Sequence, residues 1–112
     1  MNFEVEVFKA LGDNNRLRIV CMLAVRELCV CEINAVLNIS MSTISSHLKV
    51  LRNAGIVKSR KDGRWIIYRL DRSNQFISDV VSVIISSMKN SETVAGDAKK
   101  LKTVNLKNCS EQ

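Results

Sequence analysis

Two cysteines separated by one residue, Cys29 and Cys31, are the side chains of this 112-residue chain best suited to chemistry. A thiophilic ion with metal–sulfur bonds of about 2.3 Å needs both sulfur atoms within roughly 4 Å of each other. The surrounding sequence predicts a helix from about Val30 to Leu37, and side chains two positions apart on a helix point about 200° apart. The pair can therefore chelate one ion only where the helix start is irregular. The alternative is that both are small buried apolar side chains, which is common for cysteine.

The other two cysteines stand in different surroundings. Cys21 lies among apolar residues of a predicted helix, which favours packing in the core. Cys109 belongs to a polar C-terminal stretch, where it is either a bystander or a thiol that this stretch brings to Cys29 and Cys31. A closed zinc site is weakly supported, because the chain has one histidine and no Cys-x-x-Cys pair.

Basic residues are concentrated in one part of the chain, whose net charge is +6. Residues 49–72 contain eight basic and two acidic residues, so this stretch holds the equivalent of the whole net charge. Such clustering suits a surface that contacts the phosphates of a polyanion. A basic face that contacts only solvent is the alternative.

An enzyme is not supported, because no catalytic constellation and no glycine-rich phosphate loop are present.

The N-terminus and the distribution of apolar residues indicate the compartment. Acidic residues stand where a signal peptide has basic ones, and no stretch approaches the roughly 20 apolar residues of a membrane helix. We therefore expect a cytoplasmic protein with reduced cysteines and no membrane partner.

Helical periodicity and turn residues predict five helices and one β-hairpin. The predicted helices cover residues 2–11, 14–25, 30–37, 41–54 and 72–88, and the predicted strands cover 57–61 and 64–70, joined at Asp62-Gly63. A short helix, a three-residue turn and a longer helix form a helix-turn-helix, and the basic hairpin after it adds a wing. The predicted fold is mainly α with a β-hairpin wing. It occupies residues 1–88, and we expect 89–112 to be a flexible polar tail.

The predicted helix 41–54 has one polar face and one aliphatic face. At 100° per residue, three serines and Lys49 share one face, opposite Ile44, Leu48 and Leu51. An ordinary surface helix would carry better helix formers there, so the serines favour a face that approaches base edges. The residues predicted to contact DNA are Ser42, Thr43, Ser45, Ser46, His47 and Lys49 on this helix, and Arg60, Lys61 and Arg64 at the wing tip. His47 lies nearer the aliphatic face, where it either packs or touches a phosphate.

The fifth predicted helix has a broad apolar stripe. Its apolar residues are Phe76, Ile77, Val80, Val81, Ile84, Ile85 and Met88. The first helix adds Phe3 and Phe8. A stripe this wide exceeds what one flank of a small domain needs, so we expect a homodimer through the first and fifth helices.

Several stretches resemble the ArsR/SmtB family of metalloregulatory repressors. The stretches that carry the resemblance are Phe8–Asp13, Arg16–Ile19, Glu27–Glu32, Ser45–Val57 and Gly63–Leu70. The resemblance covers about residues 5–72. It implies a homodimeric winged helix-turn-helix repressor that leaves its double-stranded operator DNA when an inducer binds.

Within that family, the run Glu-Leu-Cys-Val-Cys is similar to the third-helix site of arsenite and antimonite sensors. The resemblance implies As(III) or Sb(III) at Cys29 and Cys31, as inducer and not as cofactor, and control of arsenic-resistance genes. Such sensors often carry a third cysteine where this chain has Asn34, which leaves a third ligand to Cys109, to Cys21 or to a group without sulfur. The cysteines of the lead and cadmium branch and the histidines of the fifth-helix zinc site are missing.

Two other functions fit the same fold. One is a repressor that senses thiol redox state or persulfide, using Cys21 with another cysteine. The other is a winged-helix architectural or protein-binding module that responds to no inducer.

Overall fold

The computed structural model of the chain describes residues 2–106. Its helices are α1 (Phe3–Leu11), α2 (Asn14–Val25), α3 (Val30–Leu37), α4 (Met41–Asn53), α5 (Gln75–Met88) and α6 (Glu92–Leu101), and its strands are β1 (Leu28–Cys29), β2 (Val57–Asp62) and β3 (Trp65–Leu70). The mainly α fold with a β-hairpin wing is confirmed.

Polar side chains start most of the helices. Asn2, Asp13, Ser40, Asn74 and Ser91 each accept a hydrogen bond from the backbone N–H three residues further on. These bonds satisfy N–H groups that have no partner inside the helix. The caps therefore explain where α1, α2, α4, α5 and α6 begin.

The turn between α3 and α4 has its own support. Asn38 takes the left-handed conformation, with φ of 54°, and ends α3. The side-chain amide of Asn34 donates a hydrogen bond to the Ile39 carbonyl inside this turn. Asn34 thus braces the connection that sets the position of α4 relative to α3.

One hydrophobic core holds the helices together. α2 lies at its centre and packs against α4, α5, α6 and β3. Ile44, Leu48 and Leu51 form the buried side of α4 and are fully covered. Their burial fixes which face of α4 is left for solvent.

The sheet has three antiparallel strands in the order β1-β3-β2. β1 is absent from the sequence prediction. It joins the wing through the pairs Leu28–Tyr68 and Cys29–Ile67. The hairpin turn lies one residue later than predicted. Asp62 still pairs with Trp65, so the turn begins at Gly63, which has a φ of 62°.

The prediction of a flexible tail from residue 89 is wrong for residues 92–101, which form α6. Val94, Ala98 and Leu101 have helical spacing, and Leu101 is buried in the core. Asp97 is also buried, and its carboxylate is neutralised by Arg18 of α2. Residues 107–112 lie outside the described part of the chain.

Candidate nucleic-acid interface and cysteine site

The polar face predicted for α4 is exposed in the structure. The exposed residues on it are Ser42, Thr43, Ser45, Ser46 and Lys49. The Thr43 hydroxyl lies 2.7 Å from Ser40 Oγ and belongs to the N-cap of the helix. Ser45, Ser46 and Lys49 lie further along the helix. The face is small, polar and basic, as contact with base edges and phosphates requires.

His47 lies behind this face, between α4 and the start of α2. Its Nδ1 is 3.2 Å from Nη1 of Arg16, and its Nε2 is 3.9 Å from Oδ2 of Asp13. The backbone N–H of Arg16 donates to Asp13 and, with the nearby charges of Arg16 and His47, lowers the pKa of that carboxyl. The structure therefore gives His47 a packing position between α4 and α2 and not a place on the exposed polar face of α4.

The wing tip carries three predicted phosphate contacts that differ in their surroundings. Lys61 and Arg64 are exposed at the turn. Arg60 is engaged by Glu27, with 2.8 Å between Nη1 and Oε1, and the same carboxylate lies 3.7 Å from Arg69. Sequence reasoning missed Glu27, because the pairing of β1 with β3 brings it to the wing. Lys61 and Arg64 are thus the better placed of the three for phosphate contact.

Cys29 and Cys31 come together beside the wing. With Ile67 they form a small buried cluster apart from the main core, and Trp65 and Leu106 pack against its edge. We call Cys29, Cys31 and Ile67 the thiol cluster. Cys29 is the N-cap of α3 and has an extended backbone, with φ of −95° and ψ of 170°. Cys29 therefore lies outside the helix, so the 200° separation of helical side chains two positions apart does not apply to Cys29 and Cys31.

Glu32 organises the charges around the thiol cluster. Its buried carboxylate accepts hydrogen bonds from the Cys29 N–H and from Arg26, each at 2.9 Å. Burial raises the pKa of the Cys29 thiol; the backbone N–H groups of Glu32 and Cys31 oppose this, and the negative charge of Glu32 adds to it. Cys29 is therefore a protonated thiol at neutral pH.

The oxidation states of the cysteines differ. Cys31 is disulfide-bonded, whereas Cys21 and Cys29 are free thiols. The expectation of reduced cysteines does not hold for Cys31, because it was drawn from the compartment alone. Cys21 is buried in α2 outside the thiol cluster, and burial together with the charge of Asp97 raises its pKa.

A third ligand for an ion at the thiol cluster is not found within residues 2–106. In that part of the chain no three His, Cys, Asp or Glu residues are grouped so that they could hold a metal ion. Asn34 is engaged in the α3–α4 turn. Cys109, the predicted third ligand, lies outside the described residues.

An apolar surface runs between α1 and α5. The Phe76 ring lies 5.8 Å from that of Phe3 and 5.9 Å from that of Phe8, between ring centroids. Phe8 and Val83 are 57% and 68% exposed, and a groove of about 570 Å³ lies between the two helices. The two helices expected to form a dimer interface thus present apolar side chains to solvent.

Comparisons with known proteins agree with this arrangement. Residues 13–59 match the family described as bacterial regulatory protein, arsR family. An arsenic resistance transcriptional regulator of Pseudomonas putida is 37% identical over 101 residues, which cover 88% of this chain and 86% of that protein. The chain belongs to the ArsR family. This ArsR-family protein is thus a DNA-binding transcriptional regulator and not an enzyme.

Further relatives support the same family and fold. The arsenical resistance operon repressor of Escherichia coli is 45% identical over 67 residues, which cover 59% of this chain and 57% of that protein. The crystal structure of the transcriptional repressor BigR from Xylella fastidiosa matches with a TM-score of 0.69 and 31% identity, over 79% of this chain and 85% of that chain. In the described part of this ArsR-family protein, no helix combines the length and apolar character needed to cross a membrane.

Proposed function

We propose that this ArsR-family protein is a homodimeric repressor of arsenic-resistance genes that leaves its operator when As(III) or Sb(III) binds Cys29 and Cys31. The observation that carries this proposal is the position of both cysteines in one buried cluster between α3 and the wing strand β3. An ion bound there contacts both halves of the DNA-binding unit. The relatives named for arsenic resistance support the choice of inducer.

The reaction at the thiol cluster is ligand exchange on arsenic, and it requires Cys31 in its reduced form. Arsenite is As(OH)₃ in water. Each cysteine forms an S–As bond, its proton joins a hydroxide of the arsenite, and one water leaves. Two cysteines release two waters and leave one hydroxide on arsenic. Neither arsenic nor sulfur changes oxidation state.

We further propose that Cys109 supplies a third sulfur. Leu106 packs against the edge of the thiol cluster, so the described chain comes to this site just before Cys109. Three residues span at most about 10 Å. A third S–As bond would displace the last hydroxide as water. X-ray absorption at the arsenic edge counts the sulfur neighbours: three in the reduced protein and two in Cys109→Ser support this ligand, and two in both exclude it.

Release follows from the distortion that chelation causes. The inducer draws the two sulfur atoms together at the start of α3, and the Asn34-braced turn connects α3 to α4. α4 then loses the orientation in which Ser45, Ser46 and Lys49 face the groove. To change the DNA-competent population from about 99% to about 1%, the inducer must favour the released form by about 5.5 kcal/mol.

DNA binding in this proposal needs two copies of the chain. Each α4 reads one half-site, and half-sites about 34 Å apart are read together by a symmetric dimer. The apolar surface between α1 and α5 is the contact that we assign to the second copy. Burial of Phe8 and Val83 there would remove exposed apolar area from water.

The test of the proposal is arsenite titration of the reduced protein on fluorescent operator DNA, followed by anisotropy. Cys29→Ser and Cys31→Ser should each bind the operator as the unmodified protein does and fail to release it. Cys21→Ala is the matched control, because Cys21 is buried outside the thiol cluster, and it should still release. Normal release by both serine variants would refute the proposed inducer site.

A second candidate is a repressor of the same fold that senses thiol redox state, and the disulfide at Cys31 favours it. Cys21, the cysteine expected to act in such a sensor, is a buried free thiol with a raised pKa and is poorly suited to that role. Release by a peroxide without arsenite, reversed by dithiothreitol, would support this candidate. Release by arsenite under continuous reduction would support the arsenic sensor.

A further inference from the structure

We infer that Trp65 is a positioning residue that transmits occupancy of the thiol cluster to Arg64 at the wing tip. This inference rests on the proposed function, since it concerns how the inducer site acts on DNA binding. Inducer binding would then weaken DNA binding through the wing as well as through α3.

The register of the sheet places Trp65 beside the thiol cluster. Cys29 lies opposite Ile67 in the β1–β3 ladder. Residues two apart on a strand share one face, so Trp65 is on the same face of β3 as Ile67. The ring of Trp65 accordingly packs against the thiol cluster. A change at Cys29 therefore acts directly on the side chain next to Trp65.

A cation–π contact connects Trp65 to Arg64 at the wing tip. The Arg64 guanidinium carbon lies 4.7 Å from the centroid of the Trp65 ring. Such stacking of a cation on an indole restricts the long arginine side chain and holds its charge in one place. The indole thus contacts both the thiol cluster and a wing-tip cation.

The surroundings of Trp65 allow its indole to move. Within residues 2–106, the buried Nε1 of Trp65 has no hydrogen-bond acceptor. A buried donor without a partner is unfavourable, so a rotation that gives Nε1 an acceptor is favoured. A cavity of about 210 Å³ adjoins the ring and is lined in part by Cys29, Ser45 and Arg64.

Together these contacts define the consequence of inducer binding. When the ion draws Cys29 and Cys31 together, the face of β3 beside them is repacked and the Trp65 ring rotates into the cavity. Arg64 then loses the surface on which it stacks. Its side chain becomes mobile, and the wing binds phosphate less well.

Intrinsic fluorescence gives a direct readout, because Trp65 is the only tryptophan in the chain. Arsenite added to the reduced protein without DNA should change the emission of Trp65. The change should be absent in the Cys29→Ser, Cys31→Ser double variant. If arsenite binds and releases the protein from DNA while the emission stays constant, Trp65 does not respond to the site and the inference is wrong.

The decisive quantity is the ratio of operator affinities without and with saturating arsenite, measured for matched wing-tip variants. Arg64→Ala and Lys61→Ala each remove one exposed positive charge, so both should weaken operator binding. Arg64→Ala should also reduce the ratio by about tenfold, within the usual range of coupling between sites. Lys61→Ala should leave the ratio unchanged, because Lys61 does not stack on Trp65 in the structure.

Trp65→Phe tests the indole itself. It should bind arsenite within about threefold of the unmodified protein and also show a ratio reduced by about tenfold. Ratios equal to that of the unmodified protein in both Arg64→Ala and Trp65→Phe would overturn the inference and leave the proposed function standing. Absence of arsenite-dependent release in the unmodified protein would instead refute the proposed function.

Discussion

Asp97 of α6 accepts two hydrogen bonds from the guanidinium of Arg18 on α2, at 2.8 and 2.9 Å. Asp97 is 3% exposed, and the carboxylate raises the pKa of Arg18. The pair attaches α6 to the centre of the domain. Arg26 adds a second attachment by donating to the carbonyls of Leu101 and Val104. The C-terminal helix is thereby held on the side of the domain where Leu106 reaches the thiol cluster.

Removing the buried carboxylate should destabilise the protein. Asp97→Ala leaves Arg18 without its partner, and we expect a loss of about 3 kcal/mol in the free energy of unfolding, measured with urea. Asp79→Ala is the control, because Asp79 is exposed and accepts its hydrogen bond from the exposed Gln75. It should cost less than about 0.5 kcal/mol. Equal losses in the two variants would show that the Arg18–Asp97 pair does not anchor α6.

DNA affinity should decrease steeply with salt, because the basic stretch 49–72 carries eight positive charges. If a dimer neutralises about six phosphates, the logarithm of the affinity should fall against the logarithm of salt concentration with a slope of roughly −5. Lys61→Ala should make the slope shallower, and Arg60→Ala should do so less, because Glu27 already engages Arg60. A slope near zero in the unmodified protein would contradict phosphate contact by the wing.

Sequence specificity should reside in α4 and not in the wing. Ser46 is exposed on the polar face of the helix, and base edges carry the information that distinguishes one site from another. Ser46→Ala should therefore weaken operator binding more than binding to random DNA, whereas Lys61→Ala should weaken both alike. Competition between labelled operator and unlabelled random duplex measures the two effects. The assignment of α4 as the reading helix fails if Ser46→Ala affects both duplexes equally.

A charge on the apolar surface of α5 should separate the proposed dimer. Val83→Glu is suited to this test, because Val83 is 68% exposed, whereas Val81 is buried in the core of one chain. The variant should fold, sediment as a monomer and lose operator affinity. Val25→Glu is the matched control, since Val25 is an exposed valine at the C-terminal end of α2. A stable monomer of the unmodified protein at micromolar concentration would rule out this interface.

The thiol of Cys29 should react slowly at neutral pH. Burial raises its pKa above the ordinary value of 9.0, so the folded protein keeps the proton at a pH where the unfolded chain loses it. Its contribution to stability is complete below pH 9.0 and is lost as the pH rises through the folded-state pKa. We expect Cys29 to be alkylated more slowly in the folded, reduced protein than in the urea-unfolded protein up to about pH 9, with the site located by mass spectrometry. Equal alkylation rates of Cys29 in the folded and unfolded protein would contradict a raised pKa.

Patterns confined to one helix or one hairpin could be predicted from the sequence. The polar and aliphatic faces of α4 follow from spacing alone, and Ile44 and Leu48 are indeed buried. The observed bounds of α3, Val30–Leu37, are those predicted from the sequence.

Features that depend on distant parts of the chain were missed. The two-residue strand β1 exists only because β3 pairs with it. The helix α6 has the apolar spacing of a helix, but Asp97 interrupts its buried side, and only the fold shows that Arg18 neutralises this charge. Packing was one of the two positions expected for His47, but its partners Asp13 and Arg16 are set by long-range contacts that the sequence does not show.

The inducer site is tested best by arsenite-driven release of the reduced protein from operator DNA, compared with the Cys29→Ser, Cys31→Ser double variant. We expect the double variant to bind the operator with unchanged affinity and to stay bound at arsenite concentrations that fully release the unmodified protein. Release of the double variant at the same arsenite concentration would refute an inducer site at Cys29 and Cys31.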